Sequence, residues 1–411
     1  MKRLALGSCA WLFVAAAACG LDDTVLRDAP DAAALPDGGA TDAPIGTFDV
    51  APVLDAHGVF AGQTSTCAIV VGRSYCWGSN VLGGLGTGDL QGRLSPTAVA
   101  AGVAFRALAP GESHTCGLEA SAGRVLCWGS GASGQLGLGD TQPRSAPDVI
   151  QGLPPIQQLS AGYVHTCAVT TAGALFCWGA NDEGQIGLDD GPPKPNPTSP
   201  VQVGTASDWI MVSGGQGHTC GIRKPGSMWC WGRNTAAELG IGEGQPIQLR
   251  VPTRVGTFDD YTSVDVGQDN ACALRRDGSL WCWGSGEFVG AASPDGGDLW
   301  SPTQIGSDTD WTQVSADVFS ACAVKSSGAL YCWGRNAEGQ LGVGDITYRS
   351  SPTRVAGATT WSQVSVGRMH TCAESTTRAI SCTGIDESGE LGLGDTARRN
   401  VFTPVAFPAT R

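Results

Sequence analysis

Basic residues are scarce in this chain. Its 25 Lys and Arg stand against 38 Asp and Glu, a formal net charge of −13. Binding that works by neutralising phosphates needs the opposite sign, so a nucleic-acid partner is excluded. Charged residues of both signs reach only 15%, and no segment repeats its apolar residues with a helical period. The 60 glycines point the same way, because glycine is costly inside helices. The apolar stretch Leu4 to Ala18 is too short for a bilayer span of ~20 residues. Catalytic and cofactor signatures are also missing: no Gly-x-Ser-x-Gly, no His-Glu-x-x-His, no phosphate loop. Gly129-Ser-Gly131-Ala-Ser-Gly134 has the letters of a dinucleotide fingerprint, but no helix is predicted after it. What is present is a 42% hydrophobic fraction, enough for a folded core.

The N-terminus has its own layout. Met1-Lys2-Arg3 is a short basic start, and the apolar run that follows completes a secretory signal peptide over residues 1–18. Ala16-Ala17-Ala18-Cys19 resembles the lipobox of bacterial lipoproteins, although Ala16 stands where a larger aliphatic residue is usual. That resemblance implies acylation of Cys19; an ordinary signal peptide cleaved nearby is the alternative. Residues 20–50 hold seven Asp, three Pro and one basic residue, Arg27. Such a segment buries too little apolar surface to offset its chain entropy and is predicted to be a flexible acidic tether. The folded domain is expected over 51–411.

That domain repeats. Cys-Trp-Gly occurs at Cys76, Cys127, Cys177, Cys230, Cys282 and Cys332, and a seventh copy reads Cys382-Thr383-Gly384. A period near fifty residues, built of short strand-like stretches and Gly/Asp turns, predicts one propeller blade of three or four strands per repeat. Gly111-Glu-Ser-His114, Trp333-Gly-Arg-Asn336 and Gly339-Gln-Leu-Gly342 resemble the signature of the regulator of chromosome condensation repeat family, with partial copies in register elsewhere. The resemblance implies an all-β, seven-bladed β-propeller. The last strand-like piece, around Thr403 to Phe407, is expected to complete the sheet begun near Val59, with closure by a strand around Pro52-Val53 as the alternative.

Two of the sixteen cysteines lie in the N-terminal segment, Cys9 and Cys19. The other fourteen fall as one pair per repeat: Cys67/Cys76, Cys116/Cys127, Cys167/Cys177, Cys220/Cys230, Cys272/Cys282, Cys322/Cys332 and Cys372/Cys382. Each separation suits two directly opposed positions on a hairpin, with only the turn length varying. Opposed residues lie ~4.5–5.5 Å apart at Cα, within disulfide reach, so one intra-blade disulfide per blade is predicted. Zinc spacing, Cys-x₂₋₄-Cys, is absent. Paired cysteines behind a signal peptide indicate an oxidising compartment.

Most recurring residues are better explained as scaffold. Trp77, Trp128, Trp178, Trp231, Trp283 and Trp333, and the residues at Phe105, Ile156, Trp209, Tyr261, Trp311 and Trp361, are predicted to pack between blades. His114, His165, His218 and His370 share a slot filled elsewhere by Ser65, Asn270 and Ser320. Ser and Asn replace a hydrogen-bonding group but not an imidazole base, so a structural role is predicted. Asp89, Asp140, Asp190, Glu243, Asp345 and Asp395 are predicted to accept backbone N–H groups in turns; calcium is the alternative. No metal or cofactor is expected.

Function is sought where the repeats differ. The positions after the glycine of Gly-x-x-His vary most, and pseudo-symmetry places them in a ring at one mouth of the channel. Gln63, Glu112, Tyr163, Gln216, Gln268, Phe319, Arg368 and Met369 are the candidate ligand-binding ring, several being interface-enriched types. Blade five also departs from its neighbours at 287–289 and over 295–300. The expectation is a non-catalytic protein-binding module, monomeric, on the outer membrane, cell surface or in the periplasm, its partner an envelope or extracellular protein. The resemblance offers an analogue in a secreted bacterial inhibitor of β-lactamases. Glycan or cell-wall binding through Tyr163, Phe319 and Trp300 is the alternative, and a propeller-scaffold enzyme a further one that acids of raised pKa in the channel would favour. The name-giving activity of the family, exchange on a nuclear GTPase, is rejected on compartment and charge.

Overall fold

Every repeat folds into four antiparallel strands. A computed structural model describes residues 57–188, 196–286, 290 and 297–409; the predicted signal peptide, Cys19 and the tether lie outside them. In blade one the strands are Gly58–Ala61, Ser65–Val70, Arg73–Gly78 and Arg93–Ala98, and in blade three Ile156–Ala161, His165–Thr170, Leu175–Gly179 and Val201–Gln202. Seven such sheets follow one another. In each, the first strand lines the channel and the fourth faces solvent.

Burial follows from this stacking. A blade packs face to face with two neighbours, so its second strand is covered on both sides. His165–Thr170 and His370–Ser375 are buried at every position, with none of the alternation of a half-buried strand. The outermost strand Arg349–Arg354 has no fully buried residue. The six tryptophans of Cys-Trp-Gly are each 0% exposed. Five donate Nε1–H to a carbonyl of the preceding blade: Trp77 to Glu390, Trp128 to Gly84, Trp178 and Trp231 to Gln135 and Gln185, Trp283 to Glu238, all at 2.8–2.9 Å.

The cysteines oppose each other in register, from Cys67↔Cys76 to Cys372↔Cys382, with Cα atoms 4.1 Å apart and a disulfide in every blade. The nine-residue pair is joined by the two-residue turn Val71-Gly72, with φ of 50° and 70°, the left-handed pair that a tight hairpin requires. Blade seven places Arg378 at φ 68° where the other blades have glycine.

Closure of the ring differs from the expectation. Arg399–Pro404 pairs with Ile380–Gly384 inside blade seven, and Gly58–Ala61 pairs only with Ser65–Val70 inside blade one. Among the described residues no strand is shared between the two ends of the ring, because each repeat already supplies a complete sheet. Side chains close the ring instead. Gln363 Nε2 donates to Val59 O at 3.1 Å, the Ala61 amide donates to Ser365 Oγ at 2.9 Å, and Phe407 packs edge-on against Tyr75 and Trp77. Pro52-Val53 lies outside the described residues.

Candidate functional site

The first turn of each blade, Gly-x-x-His or its variant, returns the chain from the channel wall to the second strand. Four backbone bonds link these turns around one mouth: Gln63 N to Gly111 O at 3.5 Å, Glu112 N to Tyr163 O at 3.1 Å, Tyr163 N to Gly215 O at 3.1 Å and Gln216 N to Gly267 O at 3.3 Å. They require the preceding residue to lie flat against the next blade. A Cβ on Gly162 would come within 2.3 Å of His165 and 2.6 Å of Gly215 O. The bonds thus join five of the seven turns of the predicted ring, those of blades one to five. Its members differ in exposure: Glu112 and Arg368 are exposed, Tyr163, Gln216, Gln268, Phe319 and Met369 half-buried, and Gln63 buried.

The histidine slot behind the ring is structural. His114, His165 and His370 meet Thr166, Thr219 and Thr66 of the next blade at 3.0, 2.9 and 2.8 Å. Each threonine hydroxyl already donates to a carbonyl, of Gln135, Gln185 and Glu390. The single hydroxyl hydrogen is thus used, and histidine Nε2 must carry the other proton. Burial holds His114, His165 and His218 near a pKa of about 3 and His370 near about 4, so all four are neutral. Where blade five has Ala271 in place of the threonine, His218 Nε2 has no partner among the described residues. The acidic slot is also a turn device. Asp89, Asp140, Asp345 and Asp395 each accept the amide two residues on, at 2.8–3.0 Å, and pair with an arginine four residues on. Asp190 lies outside the described residues. Gly129 to Gly134 ends a strand and forms a turn.

Two carboxyls on the channel wall escaped the sequence reasoning. Asp317 stands where the other six blades have Gly62, Gly111, Gly162, Gly215, Gly267 and Gly367. That single break in a repeat-wide glycine was the available signal. Asp265 occupies the slot of Ser160, Ser213, Ser315 and Ser365 and keeps their bracing role: Asp265 Oδ2 accepts the Ala316 amide at 2.9 Å, as Ser160 Oγ accepts that of Gly214 at 3.0 Å. Ser213 Oγ donates to Asp265 Oδ1 at 3.2 Å. Asp317 accepts from Gln63 Nε2 at 2.9 and 3.2 Å and from the Tyr163 hydroxyl at 3.4 Å. Gln63 and Tyr163 were both in the predicted ring; the carboxylate that joins them was not.

These groups line one cavity of about 120 Å³ at the centre of the ring. Burial pushes Asp317 up to about 7, reinforced by the negative charge of Asp265 and opposed by the Gln63 hydrogen bond. Burial also raises Asp265, which opens partly onto the lumen but lies deep in the ring. Across the mouth, Arg233 joins further members of the ring, donating to Gln216 Oε1 at 3.2 Å and Gln268 O at 3.0 Å while pairing with Asp269 and the buried Glu238. The Arg335 guanidinium lies over the Phe319 ring, 5.1 Å from its centroid. Beside Glu112 and Ser113, a groove is lined by Val81 and Leu82, which are 75% and 41% exposed.

Matches to two models of the regulator of chromosome condensation repeat extend over 122–169, 172–222, 225–274 and 327–373, and over 156–185, 211–236, 261–288 and 311–340. The chain belongs to the regulator of chromosome condensation repeat family. It is 30% identical over 255 residues to the ultraviolet-B receptor UVR8 of Arabidopsis thaliana, covering 58% of this chain and 56% of the receptor. Similarity to the human regulator of chromosome condensation is 30% over 97 residues, 24% of this chain and 23% of that protein. The chain thus spans about half the length of the plant receptor and less of the human protein. The fold matches yeast RCC1 (Prp20), in its crystal structure with Kap60, at a TM-score of 0.74 and 21% identity over 94% of this chain and 92% of that one. Family membership accounts for the scaffold positions of the repeat, whereas Asp265 and Asp317 are departures from this chain's own repeat.

Proposed function

We propose that this chain is an exported, lipid-anchored propeller that binds a protein through the face carrying the linked first turns. The observation that carries this reading is the ring of first turns: backbone bonds link those of blades one to five, the equivalent turns of all seven blades carry Tyr163, Phe319, Arg368 and Met369 among them, and a groove beside Glu112 leaves Val81 and Leu82 exposed. Aromatic side chains on a preorganised frame lose little entropy on binding, and arginine is enriched among the residues that dominate interfaces. Yeast RCC1 (Prp20), whose fold is similar, was crystallised with Kap60. Export rests on the N-terminal segment and on the seven disulfides, which need an oxidising compartment; anchoring rests on Cys19.

The glycan alternative wants flat aromatic faces standing free. Phe319 has Arg335 over its ring, and the Tyr163 hydroxyl is engaged by Asp317, so protein binding is preferred. The raised carboxyls of the channel favour the enzyme reading more than anything in the sequence did. Against it, the wall around them is, apart from Gln63 and Tyr163, Gly, Ala, Ser, Pro and Val, and both carboxyls are tied into hydrogen bonds with their neighbours.

The test is affinity capture from the organism's envelope extract and wall polysaccharide with oxidised protein, beside a Tyr163→Ala/Phe319→Ala/Arg368→Ala variant. A protein retained by the parent and lost by the variant supports the proposal. Retention by polysaccharide alone overturns it in favour of the glycan reading. Membrane fractionation of Cys19→Ala tests the anchor: the variant should leave the membrane fraction.

A further inference from the structure

The two channel carboxyls have no cation to answer them. Among the described residues, neither Asp265 nor Asp317 has a Lys, Arg or His nitrogen within ion-pair distance, whereas most other buried acids here do: Glu119 pairs with Arg124 and Glu238 with Arg233. A third group in the same lumen is also unanswered. Gln63, which lines the cavity, turns its amide nitrogen to Asp317 and leaves Oε1 buried without a donor. Buried acceptors left unpaired are costly, and two carboxylates in one lumen repel each other.

We propose that the channel binds one primary ammonium group, held by Asp317, Gln63 Oε1 and Asp265. An ammonium carries three N–H donors and one positive charge, which suits two carboxylates and an amide oxygen. A guanidinium fits less well, because its two-pronged approach to Asp317 is taken by the two contacts from Gln63 Nε2. A divalent metal such as calcium needs six or more oxygens, and no group of three or more His, Cys, Asp or Glu is assembled among the described residues. Pro110, Val266 and Val366 on the wall offer apolar surface to a methylene stem. The ammonium could come from a free aliphatic amine or from a lysine side chain presented at the mouth by a partner. The site does not depend on the protein-binding reading, and the two are tested with different probes.

Uptake should strengthen with pH. The groups facing Asp317 are Asp265 on the neighbouring wall strand, Gln63 and Asn270, and Tyr163 across the mouth, with Asp269 and Arg368 acting on Tyr163. Of these, Asp317 titrates near neutrality, at about 7, and its protonated form gives up the charge that attracts the ligand. Below that point affinity should fall by up to about tenfold per pH unit.

The experiment is calorimetric titration of the oxidised full chain with n-butylammonium chloride at pH 8 and pH 5.5. Tetramethylammonium, which has no N–H donor, and sodium chloride at equal ionic strength serve as controls. Asp317→Gly and Asp317→Asn are the variants; glycine is the residue of the other six blades, so that variant keeps the fold, checked by its far-ultraviolet spectrum. The expected result is saturable binding at pH 8, weakened at least about tenfold at pH 5.5 and in both variants. No saturable binding at pH 8, equal binding by Asp317→Gly, or equal binding of tetramethylammonium overturns the proposal. A lysine-containing tripeptide, run in parallel, separates the sources. Binding of the tripeptide as tightly as of butylammonium assigns the site to a partner's lysine, and binding of butylammonium alone assigns it to a free amine.

Discussion

His370 in the last blade donates its Nε2–H to Thr66 in the first, across 2.8 Å and 304 positions of sequence. This bond closes the ring in the same way that His114 and His165 join the blades before them. Thr66 passes its own hydrogen to Glu390 O at 2.8 Å, so one hydroxyl serves two partners. Replacing it by valine leaves the His370 Nε2–H unpaired in the core, while Glu390 O keeps its second donor, Trp77 Nε1. Thr66→Val should cost about 1–3 kcal/mol, read as a lower denaturation midpoint. The converse repair belongs to blade five, where Ala271→Thr would give His218 the partner it lacks. Its expected effect is a gain of about 0.5–1.5 kcal/mol.

The tryptophans offer a matched comparison. Trp178 donates to Gln135 O at 2.9 Å, while Trp333 Nε1 has no partner among the described residues. Both are fully buried, so Trp→Phe creates a similar loss of volume at either site. Trp178→Phe should therefore be the more destabilising by about 0.5–1.5 kcal/mol, the worth of the hydrogen bond alone, since Gln135 O keeps its Thr166 donor. Chemical denaturation of the two variants measures the difference.

Reduction should weaken every blade. Each disulfide closes a loop of nine to eleven residues, worth about 2–3 kcal/mol in the chain-entropy model. A Cys167→Ala/Cys177→Ala variant should lose about that much, and a strong reductant should lower the melting temperature far more. Mass spectrometry of a non-reducing digest should recover the seven within-blade pairs.

Stability and pH are linked through two opposing sets of groups. The buried histidines have folded pKa values of about 3 to 4, below their unfolded value near 6.5. The unfolded chain therefore binds more protons, and stability is lost as pH falls below about 6.5. Asp317 runs the other way. Its folded pKa of about 7 lies above the unfolded 3.8, so its charge destabilises the fold above pH 7 and that penalty is relieved as pH falls toward 4. Asp317→Asn should melt several degrees higher than the parent at pH 8, with the gap closing by pH 4. Melting curves across that range would show it; a constant gap would contradict the assignment.

Much of this was legible in the residues alone, for a local reason. The blades, the hairpin turns and the opposed cysteines depend on spacings within one repeat, and seven copies in register make each spacing visible seven times. The burial of Trp77 and its equivalents, and the structural place of the histidine slot, followed from residue type and recurrence. What the sequence by itself determined is therefore the blade. Tertiary structure decided how blades meet. Gln63 and Asp317 are 254 positions apart; their repeats place both turns at one mouth, but only the fold brings the two side chains into contact. The same holds for the closure of the ring, where a shared strand was expected. A complete sheet in every repeat left the closing contact to Gln363, His370 and Phe407, whose partners are set by the curvature of the whole ring. Charge in the channel, too, is decided there: an aspartate in a glycine slot becomes a site only when six other blades wall it in.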